Sequence, residues 1–320
     1  MNLIVAQLIQ ERTTNSIPKR PSRWRVWVQA IRPFSFTASV MPILVATALA
    51  IRDGGADPVL VTFMLLAAVA CHAGANLAND YYDHVKGIDS DVSLGPSKVI
   101  QQGLLTPAAV RMGMVVSFAV ATALGTIIVL LTNWVVLGLA LASLAAAYFY
   151  TGGPRPLGYI ALGELTVFIF MGPVMIGGAF YVLTGRVAAE VLVAATAIGL
   201  LVAAILHANN MRDVDLDRAA GKKTMATLFG AGVAAWEYVA LVLGAYLSIG
   251  LLPFLESRYW PVLVTVVSLP VARRLARLAL SSRDPEVLNR LLRGTAGLHL
   301  RVGALLSLGL LLTAAVDHFG

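Results

Sequence analysis

The sequence predicts an all-α membrane protein, a bundle of nine transmembrane helices around a central cavity. Hydrophobic residues make up 58% of the 320 residues, charged residues only 13%, and long apolar stretches recur along the chain. A soluble globular protein contains about 45–50% apolar and about 25% charged residues. So few charged residues cannot cover a water-facing surface of this size, which excludes soluble folds.

Charge and cysteine content narrow the possibilities. The formal net charge is +7, but in a membrane protein an excess of Lys and Arg is first a topology signal. We therefore expect the lipid bilayer, and no nucleic acid, as a partner. Cys71 is the only cysteine, which excludes an intrachain disulfide and a cysteine-cluster metal site.

The N-terminal residues predict a peripheral segment. Residues 1–10 contain no basic residue, so they do not resemble a cleavable signal peptide. Residues 1–27 are expected to form a basic cytoplasmic arm whose end, with Trp24 and Trp27, lies at the membrane interface. Residues 28–320 then form the membrane domain.

A transmembrane helix needs about 20 predominantly apolar residues. Segments that approach this length are 34–51, 58–79, 107–131, 133–151, 160–184, 188–211, 227–252, 257–272 and 300–317. The eighth is the weakest, because Pro261 and Pro270 interrupt it and a cluster of arginines follows. The amphipathic segment 284–297 is expected to lie along the membrane surface.

The distribution of basic residues sets the orientation. With the N-terminus inside the cell, all of the 24 Lys and Arg residues except Arg52, Arg186 and Arg258 fall on the cytoplasmic side. Cytoplasmic loops of membrane proteins carry such an excess. The N-terminus is therefore predicted inside and the C-terminus outside the cell's inner (plasma) membrane, with the cavity open to the cytoplasm.

Two short acidic motifs lie where long apolar segments reach the predicted cytoplasmic side. In each, an asparagine is followed four residues later by an aspartate, and three or four residues further on by a second aspartate. These residues are Asn76, Asp80 and Asp83 in the first motif and Asn209, Asp213 and Asp217 in the second. On an α-helix each set forms one stripe. Gly87 and Gly221 each follow the last aspartate by four residues, which indicates a faint internal repeat of two helix ends facing one cavity.

Carboxylates in a membrane require cations nearby. An aspartate at mid-membrane costs about 2.5–3.5 kcal/mol on insertion scales. Mg²⁺ prefers oxygen ligands and typically binds through one or two carboxylates together with substrate phosphates. The two motifs would therefore hold Mg²⁺ that bridges to a diphosphate, and a metal-bound diphosphate is a better leaving group. The simpler alternative, a solvated helix end, explains one acidic stripe but not two with matched spacing in a chain so poor in charge.

Other polar residues near the motifs are candidates for substrate contact. Gln101 and Glu164 either contact substrate or belong to ordinary polar packing, and Tyr159 either lies in an aromatic belt or shields a carbocation. His72 and His207 are expected to be satisfied polar groups rather than metal ligands. The predicted substrate-binding residues are Asn76, Asn79, Lys98, Gln101, Arg155, Tyr159, Glu164, Asn209, Arg212 and Lys222. All six motif residues are predicted metal ligands, and the four motif aspartates Asp80, Asp83, Asp213 and Asp217 are predicted to be catalytic.

The motifs resemble those of the UbiA superfamily of intramembrane prenyltransferases, and within it those that prenylate 1,4-dihydroxy-2-naphthoate in menaquinone biosynthesis. The segments that carry the resemblance are 76–83 with 87–89, 95–103, 150–159 with 163–164, and 207–224. It implies a nine-helix bundle that binds Mg²⁺ and a polyprenyl diphosphate, with the prenyl tail in a lateral groove open to lipid. It places the two aspartate-rich motifs on the sets above and basic diphosphate contacts on Lys98 and Arg155. Lys98 stands where many relatives have arginine, a change that weakens bidentate phosphate recognition.

The resemblance implies Mg²⁺-dependent transfer of a polyprenyl group to an aromatic acceptor, here 1,4-dihydroxy-2-naphthoate, with loss of CO₂. A 4-hydroxybenzoate, homogentisate or chlorophyllide acceptor would use the same metal site, so these alternatives stay open. A CDP-alcohol phosphotransferase signature begins with Asp-Gly, but Asp53-Gly54 lies in a predicted outside turn and lacks its continuation. A secondary transporter also carries intramembrane acids, but near the bilayer midplane rather than at one face.

Overall fold

The computed structural model describes residues 21–88 and 97–319. Helices form its regular secondary structure, which confirms the all-α prediction, and one isolated bridge joins Ile160 to Lys223. The α-helices are α1 (Arg23–Ile31), α2 (Thr37–Arg52), α3 (Pro58–Val85), α4 (Pro107–Leu131), α5 (Trp134–Phe149), α6 (Gly163–Ile169), α7 (Met175–Thr184), α8 (Ala189–Arg212), α9 (Val214–Ala219), α10 (Met225–Leu255), α11 (Leu269–Ser281) and α12 (Pro285–Phe319). The 3-10 segments are Pro33–Phe36, Leu157–Tyr159 and Ser257–Ser268, and the π-helical turn Phe170–Val174 joins α6 to α7.

Capping residues fix where the long helices begin. The Asp57 carboxylate accepts a hydrogen bond from the Val59 N–H at 2.8 Å, and Pro58 takes the first position of α3. Thr106 plays the same part for α4, ahead of Pro107. Proline is favoured at the first helical position, because its missing N–H has no partner there in any case.

Among the residues that the structure describes, seven helical segments are long and apolar enough to cross a membrane, as expected of an integral membrane protein. They are Pro33–Arg52, Pro58–Val85, Pro107–Leu131, Gly163–Thr184, Ala189–Arg212, Met225–Leu255 and Pro285–Val316. The two remaining predicted spans are shorter elements: α5, with 16 residues, and the 3-10 segment that leads into α11. Pro261 and Pro270 lie in this last stretch, and proline removes the N–H on which a regular α-helix depends.

α8 lies at the centre of the bundle. In the most apolar 18-residue stretch of α8, 67% of the residues are buried, against 17% for α3. α8 packs on α10, α12 and the α6–α7 pair. Glycine permits the closest of these approaches. A Cβ on Gly199 would lie 2.8 Å from the Phe168 carbonyl oxygen and 3.0 Å from Gly172 Cα. Small residues at such crossings let membrane helices pack backbone to backbone.

The segment 284–297 does not form a separate helix on the membrane surface, and that prediction was wrong. α12 runs without interruption from Pro285 to Phe319. Leu288 and Leu291 in its first half are buried, and Gly294 packs against Leu275 of α11. The apolar face that suggested membrane binding is therefore buried within the protein.

α1 packs against the bundle instead of extending away from it. Val26 and Ala30 are buried in a cluster with Leu77 of α3. Residues 1–20 of the expected arm lie outside the described residues, and the predicted boundary after residue 27 falls inside α1.

Candidate active site

One cavity of about 520 Å³ receives side chains from both motifs. Most of the predicted site residues line it: Asn76, Asn79, Asp80, Asp83, Lys98, Gln101, Tyr159, Asn209, Arg212, Asp213, Asp217 and Lys222. Two predicted residues do not. Arg155 is exposed on its loop, and Glu164 is buried behind the cavity wall. The helical spacing that predicted two facing stripes therefore does bring the motifs to one cavity.

The two motifs end in the same backbone geometry. In the first, Gly87 has a φ of 67° and the next N–H donates to the Asp83 carbonyl at 2.9 Å. In the second, Gly221 has a φ of 71° and the next N–H donates to the Asp217 carbonyl at 2.8 Å. A helix end of this kind favours glycine, because the left-handed region is strained for other residues. The faint repeat in the sequence is therefore a structural repeat.

The second motif differs from the prediction of one continuous stripe. α8 ends at Arg212, Asp213 has φ of −97° and ψ of 11°, and α9 begins at Val214. The Asp217 N–H still donates to the Asp213 carbonyl at 2.8 Å, so the interruption is local. It lies in the motif that is one residue longer, and both motifs reach the same end geometry despite the extra residue.

Asp80 of the first motif forms an ion pair with Arg32, at the end of α1. Arg32 Nη1 donates to the Asn79 amide oxygen at 3.3 Å. The backbone of Arg32 is left-handed, with a φ of 56°. Both side chains are nearly buried, with exposed fractions of 12% and 9%. The sequence predicted Arg32 as one of the basic residues of the cytoplasmic side and not as a cavity residue. Its position next to Pro33, where the first apolar span begins, is the signal that could have identified it.

Asp83 is held by Tyr159 and Asn79. The Tyr159 hydroxyl donates to one carboxylate oxygen, and the Asn79 amide donates to the other at 2.8 Å. Lys86 Nζ lies 4.5 Å and Lys222 Nζ 5.5 Å from the centre of the Tyr159 ring. The Tyr159 ring therefore makes cation–π contacts with two lysines in this structure, whereas the sequence suggested either an aromatic belt or the shielding of a carbocation.

Arg212 organises the second motif. Its guanidinium donates to both oxygens of Asp213, at 2.7 and 2.6 Å, and to the Asn209 amide oxygen at 3.0 Å. It also donates to Asn289 of α12 at 3.1 Å. Only 2% of the Arg212 side chain is exposed, so its first function in this structure is to orient the motif.

Two buried carboxylate oxygens indicate a cation site. Asp80 Oδ2 and Asp217 Oδ2, one from each motif, are buried and have no hydrogen-bond partner among the described residues. A buried acceptor without a partner is unfavourable. Carboxylate and amide oxygens are the ligands that Mg²⁺ prefers, so this donor set fits a hard divalent cation.

The charge on Asp217 is sensitive to its surroundings. Burial raises the pKa of this carboxyl to about 6, although Lys222 Nζ, at 3.2 Å, acts to lower it. The negative charges of Asp213 and Asp83 also raise it. Since Asp83 belongs to the other motif, the two motifs are close enough to interact electrostatically.

Asn76 and His72 tie α3 to the N-terminal segment. The Asn76 amide nitrogen donates to the Ile31 carbonyl at 2.8 Å and to the Ser35 hydroxyl at 3.1 Å. His72 lies 3.1 Å from the Ser35 hydroxyl and 2.6 Å from that of Ser39. His72 is therefore a satisfied polar group, as expected, and Asn76 retains its amide oxygen for other partners.

Away from the motifs, the cavity continues as an apolar arm between α3, α4, α5 and the α6–α7 pair. Met64, Gly125, Ala140 and Val182 are among the residues that line it. Asp83 and Met64 belong to the same helix, and at a rise of 1.5 Å per residue they lie about 28 Å apart along its axis. The polar end and the apolar arm together are thus nearly as long as a bilayer core is thick.

Comparison with known proteins gives consistent results. The model of the UbiA prenyltransferase family matches residues 39–300. A 1,4-dihydroxy-2-naphthoate octaprenyltransferase of Escherichia coli (strain K12) is 30% identical over 300 residues, 91% of this chain and 97% of the relative. A protein of the same description from Mycobacterium tuberculosis is 34% identical over 286 residues, 89% and 96% of the two chains.

Solved structures show the same fold. A UbiA homologue from Archaeoglobus fulgidus bound to GPP and Mg²⁺ superposes with a TM-score of 0.59 at 15% identity, covering 88% of this chain and 99% of the other. The apo structure of a UbiA homologue from Aeropyrum pernix K1 superposes with a TM-score of 0.60 at 20% identity, covering 88% and 98%.

Proposed function

Because the chain belongs to the UbiA prenyltransferase family, we propose that it transfers a polyprenyl group from polyprenyl diphosphate to 1,4-dihydroxy-2-naphthoate, with Mg²⁺ and with loss of CO₂. The observation that carries the proposal is the meeting of both aspartate motifs at the polar end of a cavity whose other arm is apolar. A diphosphate with a long hydrocarbon tail has the same division of chemistry. The names of the relatives support this acceptor, and GPP and Mg²⁺ are bound to one of the structural neighbours.

The acidic residues have the first task. Asp80, Asp83, Asp213 and Asp217, with the amide oxygens of Asn76 and Asn209, would hold Mg²⁺. When bound, Mg²⁺ neutralises charge that accumulates on the leaving diphosphate. Lys98 and Lys222 line the same end and add positive charge for the phosphate oxygens. Arg155, exposed on its loop, would have to move to take part.

The reaction then needs a dry site and an oriented ring. The allylic C–O bond breaks, and its electron pair leaves with the diphosphate. The apolar walls exclude water that would otherwise capture the prenyl cation. The ring carbon of the acceptor that bears the carboxylate forms the new C–C bond to the prenyl group. The bond between that carbon and the carboxylate then breaks, CO₂ leaves, and the electron pair of the broken bond restores aromaticity. The product is the prenylated quinol, which air oxidises to demethylmenaquinone.

The same proposal includes the topology. With nine crossings, the N-terminus lies inside and the C-terminus outside the plasma membrane, and the motif end faces the cytoplasm, where soluble acceptors are made. The segment Ser257–Ser268 supports the count, because 12 residues at the 3-10 rise of about 2.0 Å span about 24 Å. With the first residues of α11 this is enough for one crossing.

Purified protein tests the proposal directly. Incubation with Mg²⁺, octaprenyl diphosphate and 1,4-dihydroxy-2-naphthoate should release diphosphate and give demethylmenaquinone by mass spectrometry. The double variant Asp80→Ala with Asp213→Ala should give none. Asp57→Asn, which keeps a capping side chain on α3 outside the cavity lining and at the opposite end of the helix from Asp80, should retain wild-type activity. Product only with 4-hydroxybenzoate, homogentisate or chlorophyllide would refute the acceptor, and full activity of the double variant would refute the metal site.

A further inference from the structure

A buried polar network lies directly behind the cavity wall. Glu164 Oε1 accepts a hydrogen bond from the Asn210 amide nitrogen at 2.9 Å and lies 3.1 Å from His207 Nδ1. On the other side of the ring, His207 Nε2 lies 2.8 Å from the Ala234 carbonyl oxygen and 3.8 Å from a Glu237 oxygen. The exposed fractions of His207, Asn210 and Glu164 are 0%, 3% and 7%. These groups form a rigid chain from α10 through α8 to α6.

The network determines which way the Asn210 amide points. An ionised carboxylate only accepts hydrogen bonds, and a carbonyl oxygen does the same. Glu164 therefore requires the amide nitrogen of Asn210, because the flipped amide would place two acceptor oxygens against each other. His207 holds Glu164 in place from behind, and Glu237 lies against the opposite nitrogen of the His207 ring.

Asn210 is the member of this network that also lines the cavity. One N–H of its amide is used on Glu164, and its amide oxygen is the acceptor that it can offer to a bound molecule. Asn210 lies on α8 three residues before Asp213, which follows the helix end, and at 1.5 Å per residue it is about 4.5 Å further from the end of the motif. Ile205 and Leu206, one turn further along α8, are apolar and line the same cavity. Asn210 thus lies where the polar end meets the arm.

Hydrogen-bond chemistry selects between the two substrates. The diphosphate and its prenyl tail offer no donor at neutral pH, so neither forms a direct hydrogen bond to an amide oxygen. The aromatic acceptor carries hydroxyl groups, which do donate. The reacting ring must also lie at the boundary between the diphosphate and the tail, because the broken C–O bond is there.

We propose that the Asn210 amide oxygen accepts a hydrogen bond from a ring hydroxyl of the aromatic acceptor, with Glu164 and His207 as positioning residues. The inference rests on the proposed function and adds a recognition element to it. It also changes the part expected of Glu164, from direct substrate contact to orientation of Asn210.

Steady-state kinetics of Asn210→Leu test this inference. Loss of one hydrogen bond should raise KM for 1,4-dihydroxy-2-naphthoate about tenfold. KM for octaprenyl diphosphate and the half-saturating Mg²⁺ concentration should stay within about twofold. Thr196→Val is the matched control, since Thr196 lies on the same helix as Asn210 but outside the cavity lining, and its hydroxyl is used on the Leu192 carbonyl at 2.8 Å. It should leave all three quantities unchanged.

A second substrate pair identifies the interacting group. Naphthoate analogues that lack one of the two hydroxyls are compared as competitive inhibitors of wild type and Asn210→Leu. One analogue should bind the wild type about tenfold more weakly than the full acceptor, and the variant should not distinguish the two. Glu164→Gln keeps the shape of the network but not the fixed amide direction. It should raise KM for the acceptor with a smaller effect on kcat, and thermal unfolding in detergent checks that it folds.

The outcomes separate the two proposals. A wild type inactive with this acceptor overturns the proposed function. An active wild type with unchanged acceptor KM in Asn210→Leu and Glu164→Gln overturns the present inference. A rise in the Mg²⁺ requirement, or in KM for the diphosphate, would instead assign Asn210 to the metal end and overturn it as well.

Discussion

The Tyr159 hydroxyl donates a hydrogen bond to Asp83, which lies 76 residues earlier in the sequence. The backbone around Tyr159 is joined to the other motif: the Lys223 N–H donates to the Tyr159 carbonyl at 3.0 Å, and the Ala161 N–H donates to the Lys223 carbonyl at 2.8 Å. Lys222, beside it, pairs with Asp217. The loop between α5 and α6 therefore connects the ends of the two motifs across the cavity.

Tyr159→Phe removes the hydroxyl bond to Asp83 but keeps the ring and the backbone bonds to Lys223. Asp83 loses a donor, so its carboxylate becomes less well oriented toward a shared cation. We expect kcat/KM for prenyl transfer to fall about tenfold, the scale of one hydrogen bond to a charged group, and the half-saturating Mg²⁺ concentration to rise. Initial rates at varied Mg²⁺ measure both quantities.

Tyr148→Phe is the control for that change. It removes a hydroxyl that bonds the Tyr82 hydroxyl at 2.8 Å, and Tyr148 is not among the cavity-lining residues. Activity within about twofold of wild type is expected. An equal loss in both variants would mean that general loosening of the loop, and not the Asp83 contact, limits the rate.

Arg32→Gln tests the pairing of Arg32 with Asp80. Removing one partner of a buried ion pair typically costs about 3–5 kcal/mol, because the remaining charge is left without compensation. The variant should therefore unfold at a lower temperature in detergent. Mg²⁺ should raise its Tm more than it raises that of the wild type, since a bound cation replaces the missing charge beside Asp80.

The ion pair between Arg186 and Asp53 provides a control for the effect on Tm. Arg186→Gln removes a contact with Asp53 in which the arginine is 53% exposed, so its loss should change Tm little. An identical Mg²⁺ response in wild type and Arg32→Gln would contradict the view that Asp80 lies at the cation site.

Much of the fold could be predicted because lipid imposes simple rules. Every long apolar segment had to be a helix, and the helical period placed Asn76, Asp80 and Asp83 on one face. The period also predicted that Asp213 and Asp217 would share a cavity with them. Those inferences need only local sequence and the cost of burying charge in a membrane.

The remaining features depend on tertiary contacts that no local pattern encodes. Arg32 enters the cavity because the chain takes a left-handed turn there, and Glu164 lies behind the wall because its carboxylate contacts Asn210 and His207 of α8. The amphipathic face of residues 285–297 is the same whether a membrane or α11 covers it. Only packing decides between the two.

The raised pKa of Asp217, about 6 against an ordinary value of 3.8, predicts a pH-dependent affinity for Mg²⁺. As pH falls through 6 the folded protein protonates this carboxyl, so Mg²⁺ must displace a proton. The dissociation constant should rise up to about tenfold per pH unit below 6 and be constant above about 7. Without metal, the stability of the fold changes with pH in the opposite direction to the Mg²⁺ affinity. Between pH 4 and 6 this carboxyl is ionised in the unfolded chain but protonated in the folded protein, so the free energy of unfolding decreases as pH rises.

Calorimetric titration of Mg²⁺ at several pH values measures the first effect. Asp217→Asn should bind Mg²⁺ more weakly at pH 7 but lose the step near pH 6. A step that survives in Asp217→Asn would assign the titrating group to another carboxyl of the two motifs.

Gly125→Leu tests the apolar arm as the site of the prenyl tail. Gly125 lines the arm, and a Cβ there would meet only Ala140, at 4.0 Å, so a larger side chain can extend into the arm without displacing backbone. Counted from the motif end of α4 at Pro107, Gly125 lies about 27 Å along the helix. A short tail does not reach this depth. We expect kcat/KM for octaprenyl diphosphate to fall about tenfold and that for geranyl diphosphate to stay within about twofold, a difference that selective loss of tail contacts produces.

Gly138→Leu, on an exposed position of α5 outside the arm, should affect neither. If Gly125→Leu reduced both substrates equally, the tail would have to leave the polar end by another route.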